Sequence, residues 1–293
     1  MARVAIVGVG AIGGVLAGLL ETAGAHEIAL CTRRPLPALT VHTPGGQVRV
    51  DAQNLTDPAQ AHAVDWVLVA TKGYDASGAA LWFPALCSAG APIAILQNGV
   101  EHRERFEQYM NPDRLLPVVI DCPAERIQDE TVRMRGPATM KIEASALAQD
   151  FAALFTGSNV EISLVDDFVT AMWWKLCMNS VGALSALALK PSGVLRGEAM
   201  SRVALAMIDE CAAVGRAEGA HLDESIGEEI LAHYRKHPPD SVNSLLADRL
   251  ADRRMEWNER NGAIVRKGAK HGIPTPLNEM AVALLEAVES KTV

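Results

Sequence analysis

In the stretch WWKLCMNSVGALSAL, residues 173–187, Lys175 and Asn179 stand four positions apart among tryptophans and small or aliphatic residues. Four residues is about one helical turn, so both side chains project from one face. An ammonium group is a cation and a proton donor, and an amide both donates and accepts hydrogen bonds. Stacked together they suit a polar ligand. The structural alternative is a lysine that lays its stem on apolar surface with its charge in water, next to an asparagine that bonds the local backbone. This segment leaves both readings open, and the rest of the chain has to choose.

A second chemical signal opens the chain. In RVAIVGVGAIGGVLAGLLETAG a short β-branched run is followed by glycines and then a helix-period stretch. Gly8, Gly10 and Gly13 form G-x-G-x-x-G: a tight turn, a close approach of backbone to pyrophosphate, and close helix–strand packing. Ala11 and Ile12 lie inside this loop, where the helix start presents N–H groups to phosphate. The motif follows a strand, opens a helix and stands where Rossmann domains begin. The uncharged run Val4–Leu20 also has the outline of a secretory leader. The ordered glycines, and the next strand's need for the first beside it, argue against that reading.

The second strand, in EIALCTRR, ends without the carboxylate that usually bonds an NAD ribose. Arg33 and Arg34 stand there instead, suited to a 2′-phosphate by charge and forked hydrogen bonds, so NADP is expected. Further strands, VDWVLVAT and PIAILQN, end in TKGYDA and QNGVE, which puts Lys72 and Asn98 at carboxyl ends where ligands lie. Past residue 115, LLPVVI, TVRMRG, ATMKIEA and NVEISLV are expected to complete the sheet.

These elements must position the chemistry. The expected fold is α/β: a Rossmann dinucleotide-binding domain over residues 1–165, then an all-helical domain over 166–293. Asp166 or Asp167 is a suitable N-cap for the helix carrying Lys175. Further helices are expected over Glu198–Glu218, Asp223–Lys236, Ser244–His271 with an interruption, and Leu277–Glu289.

Totals exclude several classes. A net charge of −8 without a long basic run argues against nucleic acid or anionic membrane as partner. Five scattered cysteines and eight unclustered histidines point to reduced thiols, no metal and a cytoplasmic setting. No apolar run reads as a membrane span.

The glycine loop, TKGYDA, LQNGV, WWKLCMN and NSLLADRLADRRMEWNERNGAIVRKGAKHGIPTPLNE occur in this order. Together they resemble the ketopantoate reductase (2-dehydropantoate 2-reductase) family, whose last block reads T-E-x-D-x-x-N-G and then H-G-x-x-x-P-x-N. The resemblance implies an NADPH-dependent oxidoreductase of pantothenate biosynthesis that turns a 2-oxo acid into a D-2-hydroxy acid. It implies Lys175 as general acid, Glu256 in the active site, and Asn98, Asn179 and Ser244 around the substrate. Lys72 and Arg33 or Arg34 would lie near NADPH, and a homodimer is the candidate assembly. The chemistry suits those types, because hydride delivery leaves negative charge on oxygen that a cationic donor stabilises and neutralises. Lys175 is therefore read as catalytic.

Ser244 and Glu256 set a geometric test. Twelve residues apart, they would be about 18 Å apart in one unbroken helix. If both line the site, the helix must break near residues 252–255, where this chain has neither Gly nor Pro. A helix cap is the alternative role for Ser244. Three departures bear on substrate: Ala183 replaces a second family asparagine, Asn258 the usual Asp, and Arg260 an apolar residue. Ala183 removes a donor–acceptor pair, which favours a bulkier or less polar 2-oxo acid. A binding protein that senses NADP(H) without turnover is the reading from another class, and the Lys175–Asn179–Glu256 set speaks against it.

Overall fold

Val4, Ala5, Ile6 and Val7 carry no polar side chain because the strand they form is covered on both faces; none is more than 2% exposed. A parallel strand buried on two sides reads as an unbroken apolar run. In this computed structural model, which describes residues 1–24, 26–128 and 130–289, that strand lies inside an eight-stranded sheet.

The sheet-bearing part runs β1 (Ala2–Val7), α1 (Ala11–Ala23), β2 (His26–Cys31), β3 (Thr40–Thr43), β4 (Gly46–Arg49), β5 (Ala52–Leu55) and β6 (Trp66–Val69). It continues through α2 (Ala76–Ala80), α3 (Phe83–Leu86), β7 (Ile93–Ile95), α4 (His102–Phe106), β8 (Leu115–Asp121), β9 (Ala124–Gln128) and β10 (Thr131–Met134). β11 (Ala138–Glu143), α5 (Ala146–Ala153) and β12 (Val160–Val165) close it. The main sheet has the order β12-β11-β8-β7-β6-β1-β2-β5. Its strands are parallel from β8 to β5, and β11 turns antiparallel against β8. Apolar side chains pack on both faces, with Leu16, Leu20 and Phe151 on one and Phe83, Leu86 and Phe106 on the other.

One expectation is corrected here. TVRMRG does not extend the main sheet; its strand β10 belongs to a separate four-stranded sheet of order β4-β3-β10-β9. That small sheet lies against α1. A Cβ on Gly14 would come within 2.6 Å of Val132, and one on Gly18 within 2.9 Å of Val41. Two of the five early glycines thus serve this close packing rather than the phosphate loop.

The helical part contains α6 (Phe168–Ser180), α7 (Gly182–Ala188), α8 (Glu198–Ala217), α9 (Ile226–Lys236), α10 (Ser244–Leu250), α11 (Asn261–His271) and α12 (Pro276–Glu289). α6 begins directly after Asp167, and α9 starts at Ile226, a little later than the pattern predicts. Its core is anchored by Trp173, 2% exposed, which approaches α8 at Gly215; a Cβ there would meet the indole at 3.0 Å.

The expected interruption is real. α10 ends at Leu250, and Asp252 adopts φ 51°, the left-handed region. Asp252 N donates to the carbonyl of Arg249, and Arg253 N to that of Asp248. These two bonds close a helix end that usually uses glycine. Aspartate is among the few other residues that enter this region routinely. The break needs no Gly or Pro.

The chain divides into two compact units: Met1–Gln97 with His102–Phe168, and Asn98–Glu101 with Val169–Val293. The short loop Asn98–Glu101 thus belongs to the helical unit, although it lies between β7 and α4 in sequence.

Candidate functional site

In the first unit the candidate site residues gather at the carboxyl ends of β1, β2 and β6. Gly8 has φ 93°, and a Cβ there would strike the backbone of Thr71 at 2.6 Å. A Cβ on Gly13 would lie 2.1 Å from the carbonyl oxygen of Gly8, so helix and strand touch at this point. Gly10 has nothing within 4 Å of its Cβ position, which leaves the backbone open to a ligand. Gly10 is also the N-cap of α1 and supplies no side-chain bond, and the first turn holds no acidic residue. The N–H groups around Ala11, Ile12 and Gly13 therefore form an anion-receptive helix end. This cradle fits a dinucleotide pyrophosphate.

Arg33 and Arg34 extend from the loop after β2, both exposed. Asn54 builds that loop by donating to the Leu30 carbonyl at 3.0 Å and to Thr32 Oγ1 at 2.8 Å, and by accepting from Leu36 N. Arg33 also meets a carboxylate that reading along the second strand does not find, since Asp75 lies 3.4 Å away. With the Arg33 side chain 88% exposed, such a pair is weak and readily exchanged for a phosphate. Lys72 is held from its backbone, its carbonyl accepting from Gln97 Nε2, which also donates to Thr71 Oγ1. Gln97 in turn accepts from Arg105, and its carbonyl accepts from His102 Nε2. Burial, and then the Arg105 guanidinium, push the His102 pKa down to about 4, so His102 is neutral and the bond to Gln97 fixes its proton on Nε2. Arg126, on β9, donates to the Val9 carbonyl inside the glycine loop. Asn54 and Arg126 belong to no motif, and only the pairing of distant strands reveals them; Gln97 stands in the LQNGV signature, but its bracing role shows only in the fold.

In the second unit α6 sorts its residues by face. Trp173, Leu176, Cys177 and Ser180 are buried, while Lys175 and Asn179 are half-buried on another side. Asn179 Nδ2 donates to Asn98 Oδ1 at 3.4 Å, and Asn98 Nδ2 donates to Glu256 Oε2 at 3.2 Å. Asn98, Asn179 and Glu256 are thus one hydrogen-bonded line, with Lys175 a turn before Asn179. Glu256 is 3% exposed, and a carboxylate this deep persists only with partners.

Its position is enforced from both sides. Glu289, at the end of α12, accepts from Met255 N and from the Trp257 indole N–H. Arg266 on α11 holds Glu101 through two bonds, at 3.1 and 2.6 Å, and donates to Asn258 Oδ1 at 2.7 Å. This clamp ties the Asn98–Glu101 loop to the segment carrying Glu256. It also gives the Asn258 amide oxygen a role, as an acceptor for Arg266.

Ser244 is the first residue of α10, but it is not the cap. Asn243 caps the helix by accepting from Leu246 N. The Ser244 hydroxyl instead accepts from Arg260 Nη2 at 2.7 Å. Asn261 and Asn278, from the most recognisable sequence block, turn out to be scaffold. Asn261 donates to the Ser180 carbonyl and to Asn278, and Asn278 donates to the Met207 carbonyl and to Glu210. They fasten α6, α8, α11 and α12 together.

Among the described residues, no group of three or more His, Cys, Asp and Glu side chains could hold a metal, and no helix is long and apolar enough to cross a membrane.

Comparison with known proteins bears on these arrangements. The model described as "Ketopantoate reductase PanE/ApbA" matches residues 4–146, and its C-terminal counterpart matches residues 167–289. A 2-dehydropantoate 2-reductase from Caulobacter vibrioides is 44% identical, over 98% of this chain and 99% of that protein. The crystal structure of a PanE/ApbA family ketopantoate reductase from Ralstonia eutropha superposes with a TM-score of 0.90 at 31% identity, covering 99% of each chain. A D-mandelate dehydrogenase, solved with NADH and anilino(oxo)acetate, has the same fold, with a TM-score of 0.89 at 20% identity over 98% of each chain. By sequence along its whole length and by fold, the chain belongs to the ketopantoate reductase family.

Proposed function

We propose that the chain reduces 2-dehydropantoate to pantoate, a D-2-hydroxy acid, using NADPH. In this reading residues 1–165 hold the dinucleotide, and residues 166–293, with Asn98, hold the substrate. The observation that carries it is the line Glu256–Asn98–Asn179 beside Lys175. Bound NADPH supplies the hydride. Lys175 gives the ketone oxygen its proton as negative charge builds there, breaking an N–H bond and forming the O–H bond of the product. Solvent then reprotonates the amine. Asn98, Asn179 and Ser244 orient the 2-oxo acid, and Glu256 opposes the tendency of burial to strip Lys175 of its charge.

The preference for NADPH over NADH rests on Arg33 and Arg34, with Lys72 nearby to add positive charge. Five free cysteines suit a reducing cytoplasm. A homodimer is the assembly; Met280, Leu284 and Val288, spaced by four along α12 and each more than 40% exposed, supply apolar surface for it.

The test is NADPH oxidation by purified protein with ketopantoate, run beside Lys175→Ala. Turnover in the parent and its loss in the variant bear the reading out, while NADPH binding without turnover of any 2-oxo acid defeats it. One observation favours a second reading, reduction of a bulkier 2-oxo acid: Ala183 is fully buried and offers no donor where the family has an amide. A panel of 2-oxo acids in the same assay separates the two.

A further inference from the structure

Arg260 is 3% exposed, and a guanidinium stays charged at any ordinary pH. Among the described residues its side chain has one hydrogen-bond partner, Ser244 Oγ, and it forms no ion pair. Its Nε is buried without any partner. Glu256 and Glu259 are buried in the same loop; neither forms an ion pair with Arg260, Glu256 accepts from Asn98, and Glu259 Oε2 is itself buried without a hydrogen bond. Burying a charge without a counter-charge is among the costliest things a fold can do. An apolar side chain at this position would avoid that cost.

The location indicates what offsets it. Asn261, the next residue, bonds the carbonyl of Ser180, which follows Asn179. Asn243, the residue before Ser244, donates to the carbonyl of Gly182, which precedes Ala183. The neighbours of Arg260 and Ser244 in sequence are therefore bonded to the stretch 180–182, which lies between Asn179 and Ala183.

We infer that Arg260 is the carboxylate-binding residue for the 2-oxo acid, with its fork aimed by Ser244. This rests on the reading of the protein as a 2-oxo acid reductase. A carboxylate can take two parallel N–H bonds from a guanidinium, which would occupy the unpartnered Nε. The division of labour is then clear: Lys175 serves the ketone oxygen and Arg260 the acid group. Discrimination shifts from substrate hydroxyls, which an asparagine would read, towards negative charge.

The experiment compares ketopantoate with its methyl ester as substrates, and titrates pantoate against pantoamide by calorimetry with NADP+ present. Arg260→Leu places an apolar side chain there. It should raise KM for the acid about 10- to 100-fold, the range for one charged hydrogen-bond pair, with kcat changed little and a much smaller change for the ester. Arg260→Lys keeps the charge and should recover part of the loss. Arg260→Leu should also melt no lower than the parent, because it removes an uncompensated buried charge. An unchanged acid-to-ester ratio in Arg260→Leu overturns the inference while the reductase reading stands. Equal loss for acid and ester with a lower Tm also overturns it, by making Arg260 a brace for Ser244. If the parent reduces no 2-oxo acid, the reading fails. Pantoate binding that Arg260→Leu abolishes would then still uphold the anion site, and absent binding would remove both.

Discussion

The end of the first unit proposed to hold the dinucleotide is made mostly of backbone, and the end of the second proposed to hold the substrate is made of side chains. At Gly8, Gly10 and Gly13 the features that matter are a φ of 93°, an open approach and a missing Cβ, and the cations nearby are exposed. Around Glu256 and Arg260 the working groups are buried and each is aimed by another residue, Glu289, Arg266 or Ser244. A backbone cradle tolerates change at its rim and none at its glycines. A buried side-chain network passes any single loss on to its partners.

Substitutions can break or sharpen this contrast, and the largest effect belongs at the acid. Lys175→Ala should lower kcat by about 100- to 10,000-fold, the usual worth of a positioned general acid, with NADPH affinity unaltered in a fluorescence titration. An equal loss of NADPH binding would mean Lys175 serves the cofactor instead. Next comes the packing beneath it. Trp173→Ala should cost about 3–5 kcal/mol of stability, read as a shifted denaturant midpoint.

A pH effect of about 3 kcal/mol follows for the first unit from His102, with its pKa near 4 against about 6.5 unfolded. Because the folded value is depressed, the unfolded chain binds a proton that the native state refuses. Stability is thus full above about pH 6.5 and is lost as pH falls towards 4. His102→Gln should flatten that dependence in denaturant melts taken across the range. Asp252→Val should cost about 1–2 kcal/mol through its left-handed backbone, whereas Asp252→Gly, free of that backbone strain, should cost less. The smallest effect is expected at the rim. Arg33→Ala should raise KM for NADPH about tenfold, leave NADH alone and barely move Tm, since an exposed pair with Asp75 contributes about 1 kcal/mol or less.

Reading along the sequence exposed what depends on local pattern. The glycine loop needs fixed spacing, the buried strands need β-branched runs, and the pairing of Lys175 with Asn179 on one face follows from helical period. A break between Ser244 and Glu256 follows from the sequence only on the condition that both line one site, because residues twelve apart cannot share a small ligand in an unbroken helix. Its maker does not, since an aspartate in a left-handed turn looks like any solvated aspartate in a string of charges. TVRMRG reads as a strand but not as a member of the small sheet, because alternation marks a strand without naming its neighbour. The clamp of Arg266 on Glu101 joins residues 165 apart, and no local pattern encodes such a pair. The lone state of Arg260 is equally invisible, since burial and partnership are properties of the fold.

The loop Asn98–Glu101 lies in the first half of the sequence yet belongs to the helical unit. The two halves are therefore interleaved and cannot be exchanged as cassettes. A helical fragment beginning at Val169 lacks Asn98, so its Glu256 would lose the amide that bonds it, and Arg266 would lose Glu101. Recombination between relatives near Phe168 would join one parent's Asn98 and Glu101 to the other's Glu256 and Arg266. Such chimeras keep a working site only where both parents already agree at those four positions, which couples the inheritance of residues that lie 158 apart along the chain.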